Sequence, residues 1–239
     1  MSRVESMPDF TKELTIIINE DSIERTASFT VPEDLLAEHS EYFKAACRNE
    51  WKEATSRVIK LLDVDIDTFH TYLYWVYRER VAMKPLSKKS DFMSSFNELA
   101  KLWLLSDRLV DLNLGNTVMD AMTRIIEKMS LVVLGAIKPE IINMIWSSTT
   151  PGRAIRRLVL EYYSQCITAA QMSPSMDELD SSFKQELMLH MMDFKNNAGN
   201  RILSLREDLC RWHEHDKQHP ECHEKLEPSA HTAGEDISG

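Results

Sequence analysis

The densest set of side chains able to do chemistry is "DLCRWHEHDKQHPECHEK" (208–225), carrying Cys210, His213, His215, His219, Cys222 and His223. Zinc takes four nitrogen or sulfur ligands, often two of each, and these intervals are short enough to wrap one ion. Yet the stretch has no Cys-x-x-Cys pair, and its spacings match no established finger. It reads as a polar tail with incidental histidines, so no metal or cofactor is expected. The alternative is a zinc staple, structural rather than catalytic. A second cluster, "DVDID" (63–67), pairs carboxylates as an acid/base or cation site would. It lies between a strand-like run and a helical stripe, where aspartates serve as caps. The third feature is Trp51, a large ring set among Arg48, Asn49, Glu50, Lys52 and Glu53.

Signatures of phosphate or acyl chemistry are missing. The chain has 6 glycines, none clustered to cradle a phosphate, and no Walker-type loop or dinucleotide fingerprint. There is no Gly-x-Ser-x-Gly elbow and no His-Glu-x-x-His helix. The sequence gives an enzyme no support. A net charge of -10 argues against neutralising the phosphates of duplex DNA and against a basic patch on an anionic membrane. No apolar run approaches the ~18–20 residues that span a bilayer, and "MSRVESMPDFTKEL" lacks the apolar core of a secretory signal. Four scattered cysteines fit a reducing compartment. The expectation is an intracellular protein, in cytoplasm or nucleus. With 239 residues, 43% hydrophobic and 28% charged, the chain has ordinary globular composition.

The elements that must position these residues begin with "LTIIIN" (14–19), short and β-branched, and "ASFTV" (27–31), with "EDSIER" closing a hairpin between them. Pro32 then stands at a first helical position, where its missing N–H is no loss. "EDLLAEHSEYFKAAC" reads as two short helices, the second capped by Ser40, and "RVIKLLDV" (57–64) as a third strand. From there the hydrophobic period changes from two to about 3.6. Successive stripes are Phe69, Tyr72, Leu73, Val76, Tyr77; then Phe96, Leu99, Ala100, Trp103, Leu104; then Leu114, Val118, Ala121, Met122, Ile125, Met129. Three more helices are expected: "KPEIINMIW"; a helix opening at Thr150-Pro151 with Ile155, Leu158, Val159 and Tyr162; and one with Phe183, Leu187, Met191 and Phe194. The fold class is α+β: short N-terminal strands packed by a helical cluster, then an all-helical extension. The boundaries are 1–12 for an N-terminal tail, 13–130 for the α+β domain, 131–195 for the helical extension and 196–239 for a polar, largely disordered tail.

The ordered series of "FTV", "EDLLAEHSEYFKAAC", "WKEA", "RVIKLLDV", "TFHTYLYWVY" and "FNELAKLWLLSDRLVDLNLGNTVMDAM" resembles a BTB/POZ domain of the form found in many fungal proteins. The Cys-x-x-His-x-His step at 210–215 is similar to one near the end of many such chains. Departures are Pro32-Glu33 where the family usually has a histidine, and Tyr77-Arg78-Glu79 where it usually has Tyr-Thr-Gly. The common leading aspartate of the first strand is also missing. Only about a dozen residues precede Leu14, too few for the extra helix through which animal members form swapped dimers. The resemblance therefore does not carry that dimer over.

What the resemblance implies is protein binding. Many members link a target to a cullin-type ubiquitin ligase scaffold through a surface that includes a hydrophobic-x-Glu step, and Trp51-Lys52-Glu53 falls on that step. Trp51, Glu53 and Tyr42 are thus the candidate protein-interaction residues, with packing of Trp51 under the strand at 57–62 as the alternative. The function implied is a non-enzymatic interaction module or adaptor, with a cullin scaffold and an unknown target as partners. Other readings are a transcription- or chromatin-associated regulator acting through protein contacts, and a structural scaffold with a zinc-stapled tail.

Overall fold

The computed structural model describes residues 12–20, 25–48, 56–83, 88–132, 137–196 and 209–215. Strands β1 (Glu13–Glu20), β2 (Arg25–Pro32) and β3 (Val58–Leu62) form one sheet in the order β2-β1-β3. β1 runs antiparallel to β2 and parallel to β3. The register places Ile16 beside both Phe29 and Ile59, and Ile18 beside both Ala27 and Leu61. Because side chains alternate along a strand, one face collects Leu14, Ile16, Ile18, Val31, Ile59 and Leu61, all buried. Phe29 packs against that core at its margin.

A parallel pair needs a crossover, and here it contains helices α1 (Glu33–His39) and α2 (Glu41–Ala46). Pro32 is the cap of α1 rather than its first residue, since its φ of -54 with ψ of 131 is extended. Ser40 caps α2 as expected, its hydroxyl accepting from Phe43 N at 3.2 Å. Helix α3 (Ile66–Arg78) opens on Asp65, which accepts from Asp67 N at 2.8 Å and Thr68 N at 3.1 Å. Its core face differs by one position from the sequence expectation: Phe69, Tyr72, Trp75 and Val76 are buried, while Tyr77 is exposed. The indole of Trp75 is drawn inward by a buried acceptor described below.

Helices α4 (Lys89–Leu109) and α5 (Leu112–Val132) form a hairpin closed by Val110 in the left-handed region, φ 54. The axes approach closely at Gly115, where a Cβ would lie 3.2 Å from Ser106 Oγ. Beyond the hairpin come α6 (Pro139–Ser148), α7 (Ala154–Cys166), the short α8 (Ala169–Met172) running into a 3-10 turn (Ser173–Ser175), and α9 (Ser181–Asn196). Helix α7 starts three residues later than the Thr150-Pro151 expectation, with Arg153 as its cap. Pro151-Gly152 is a turn pair instead, with Gly152 at φ 84 and Arg153 N donating to Thr150 O at 3.4 Å. Helix α7 is buried nearly all round, Arg156 and Glu161 included. In α9, Phe183 and Leu187 are buried but Met191 is exposed, together with Met188, Leu189 and Met192.

Candidate protein-interaction surface

Of the three residues expected at the interface, Trp51 and Glu53 lie outside the described residues. They fall between the end of α2 and the start of β3. Tyr42 is described, and the structure separates it from its neighbour. Phe43 is fully buried, while Tyr42 is half-buried with its ring edge-on to Phe43 at 5.4 Å between centroids. Part of the tyrosine ring therefore stays at the surface. Lys44 and Glu41, paired at 2.6 Å, stand exposed on the same helix.

Beneath α1 and α2 lies a polar knot that ties this face to the rest of the domain. Ser40 Oγ donates to Leu109 O at 2.5 Å, so the α2 cap is also the stop of α4. Asp111, 2% exposed, accepts from Leu114 N at 2.8 Å through one oxygen and from Trp75 Nε1 at 3.1 Å through the other. Burial is the largest influence on its carboxyl and raises its pKa, against the Leu114 amide, the nearby His39 and the Trp75 indole, which all favour the charge. Tyr72, also in this knot, has its hydroxyl buried; burial, with the Asp111 carboxylate nearby, pushes its pKa up against the neighbouring Ser40 hydroxyl. At the other end of α3, burial works to raise the Asp65 pKa, but Lys101 Nζ at 2.7 Å and the two cap amides outweigh it and lower it. Within "DVDID", Asp65 thus serves both as a helix cap and in a cross-helix ion pair.

Residues 14–109 match the family described as the BTB/POZ domain. This span runs from the first strand to the last residue of α4. Residues 14–109 are a BTB/POZ domain. Such domains mediate protein–protein contacts and are non-enzymatic. No curated protein matches the chain. The α+β expectation holds: a BTB domain with a short three-stranded sheet and helices, followed by a helical C-terminal region.

Within that C-terminal region lies a segment the sequence assigned to a polar, largely disordered tail. Residues 209–215 open with a 3-10 turn (Leu209–Trp212) and pack across α5 and α7. Trp212 is 2% exposed. Glu214 N donates to Asn116 Oδ1 at 2.8 Å, Asn116 Nδ2 donates to Glu214 O at 3.1 Å, and Ala154 N donates to the Glu214 carboxylate at 3.2 Å. Arg153 bridges Asp107 of the BTB domain and Glu214 of this strap. One aromatic ring and a ladder of polar pairs overcome the polarity that made the stretch read as tail.

Three of the six metal-competent residues are described. His213 is committed to Asp120 on α5 at 2.8 Å. Cys210 Sγ lies 3.2 Å from His215 Nε2. His219, Cys222 and His223 lie outside the described residues. Among the described residues no group of three or more His, Cys, Asp or Glu side chains is placed to hold a metal. Nor is any helix there long and apolar enough to cross a membrane.

Two interior residues were missed by sequence reasoning. Arg156, 4% exposed, donates through Nε to Thr149 Oγ1 at 2.8 Å and through Nη2 to Trp146 O at 2.7 Å. It also donates to Thr149 O and Glu186, and its guanidinium lies 5.0 Å over the Trp146 ring. Glu161, 5% exposed, gathers Gln165 Nε2 at 2.6 Å, His190 Nε2 at 3.1 Å and Arg211 Nη2 at 3.4 Å. These two residues fasten α6, α9 and the strap to α7. Sequence position gives no signal for them: at 3.6 residues per turn they flank the Ile155, Leu158, Tyr162 stripe on opposite sides, and both are buried because α7 is covered nearly all round.

Proposed function

We propose that the chain is an adaptor whose BTB/POZ domain docks on a cullin-type ubiquitin ligase scaffold and whose helical extension engages a target. The observation that carries the reading is the family match over residues 14–109, which encloses the Trp51-Lys52-Glu53 step on the connection between α2 and β3. Supporting it, Tyr42 is only half-buried on α2, the helix that precedes that connection in the chain. Tryptophan and tyrosine are enriched among the residues that dominate binding energy at interfaces. The rigid knot of Ser40, Asp111 and Trp75 holds the paired helices in place, which limits the ordering cost of docking there. The acidic balance of the chain, -10, keeps the mechanism to protein contacts rather than nucleic acid.

The test is capture of cullins by the tagged full chain, compared with the double variant Trp51→Ala, Glu53→Ala. The expected result is capture by the parent and loss of at least about tenfold in the variant, with its circular dichroism and melting curve unchanged. No cullin in the parent's captured set would overturn the ligase reading and leave the interaction module.

A further inference from the structure

A small cavity opens where α4 turns into α5, and its contents do not cancel. It measures about 220 Å³ and is walled by Trp103, Asp107, Asp111, Gly115, Arg153 and Glu214, among others. Sites for drug-sized ligands begin near ~300 Å³. At ~30 Å³ per water molecule this space holds roughly seven waters, or one amino-acid residue.

Trp103 is 2% exposed, and its Nε1 faces the Gly115 wall. Among the described residues this indole N–H has no acceptor, whereas those of Trp75 and Trp146 are bonded to Asp111 and Glu186. One helical turn on, Asp107 gives one carboxylate oxygen to Arg153, and its other oxygen has no partner among the described residues. Arg153 is itself shared with Glu214 at 2.8 Å and stacked 5.4 Å from the Trp103 ring centre. Three carboxylates, Asp107, Asp111 and Glu214, thus line the cavity against a single guanidinium. The site selects a cation, and it also offers a donor that a bare cation cannot use.

Residues at i and i+4 of a helix present their side chains side by side. The ligand therefore needs a positive donor and a neutral acceptor within one residue's length. A lysine ammonium has donors only. The end of a polypeptide has both, an α-ammonium and the carbonyl of its first residue. We propose that this cavity binds the free amino terminus of a partner polypeptide, its α-ammonium on Asp107 and its first carbonyl oxygen on Trp103 Nε1. The proposal rests on the cavity alone and stands whether or not the BTB domain meets a cullin.

The minimal probe is L-alaninamide, which carries that ammonium and that carbonyl. The full chain is labelled with nitrogen-15, and the Trp103 indole signal is assigned by its disappearance in Trp103→Phe. Titration with L-alaninamide is expected to move this signal saturably. N-acetyl-L-alaninamide, which lacks the charge, binds at least about tenfold more weakly, the scale of one charge-assisted hydrogen bond. n-Butylammonium, which lacks the carbonyl, leaves the indole signal in place.

In Gly115→Ala the new Cβ stands 3.2 Å from Ser106 Oγ and 3.9 Å from Trp103 Nε1. The methyl touches the indole N–H at ordinary contact distance, in the place the carbonyl oxygen would take, so binding is weakened, and a melting curve alongside shows whether Ser106 yields to the tighter contact. The proposal is overturned by an indole signal that L-alaninamide does not move, or by an equal response to the acetylated probe. An equal response to n-butylammonium would replace the chain terminus with a basic side chain. Undiminished binding in Gly115→Ala would remove the cavity as the site.

Discussion

Arg156→Ala is the substitution whose cost the structure specifies most closely. The guanidinium is 4% exposed and binds the end of α6, through the carbonyls of Trp146 and Thr149, to Glu186 on α9. Truncation leaves two carbonyls without their donor and a carboxylate, 21% exposed, without its counter-charge. Removing one partner of a buried ion pair costs about 3–5 kcal/mol, mostly from the charge left behind. For a chain of this size each kcal/mol lowers Tm by roughly 2–4 °C, so a fall of about 6–20 °C is expected. Thermal and urea unfolding followed by circular dichroism would read it. Glu186→Gln in the Arg156→Ala background removes the stranded charge and should recover about 1–2 kcal/mol. Trp146 supplies an internal reporter, because its indole donates to the same Glu186 oxygen at 3.1 Å and its fluorescence follows the pair. A loss below about 1 kcal/mol, or no recovery with Glu186→Gln, would refute the assignment of Arg156 as a buried charge pair.

Two further outcomes follow from the same kind of accounting. Burial raises the Asp111 pKa above its ordinary 3.8, so the folded state binds the proton more tightly than the unfolded state. Its contribution is fully present below 3.8 and is lost as pH rises through the raised value; Asp111→Asn should flatten that fall in a pH series of urea midpoints, and an unchanged slope would contradict it. Trp212→Ala empties a site that is 2% exposed and should cost about 3–5 kcal/mol. Hydrogen exchange at Ala154 N–H and Glu214 N–H, both bonded across the strap, would accelerate if the ring is what fastens it, and retained protection would show that the polar ladder suffices.

The parts legible in the sequence were those where local chemistry and the fold agree. β-branched residues with alternating burial marked all three strands, and the Ser40 and Asp65 caps were readable because their side chains satisfy amides a few residues on. Hydrophobic period also located the helices. It failed where a long-range partner decides the outcome. Trp75 turns inward because Asp111, 36 residues away, offers an acceptor, and Tyr77 turns outward as a consequence. The start of α7 was misplaced by reading Thr150 as a cap and Pro151 as the first helical residue, although the Pro151-Gly152 pair carries a turn signal of its own. The strap at 209–215 was hidden because seven residues hold one large apolar ring among charges, and only Asn116, Arg153 and Ala154 show what those charges meet. For the interface the sequence offered a resemblance and a position, while the cavity beside Trp103 depends on how two helices and the strap converge.

The middle strand of the sheet is also the first to leave the ribosome. Leu14, Ile16 and Ile18 emerge with both of their hydrogen-bonding edges open, and β2 closes one of them after a short connection. The second edge waits for β3, whose last residue is Leu62. At ~5–20 residues per second the nascent chain spends about 2–6 s between completing β2 and completing β3. During that interval a β-branched edge is available to any other unfinished strand. Biosynthesis, rather than the finished molecule, is thus where this sheet is most exposed to mispairing.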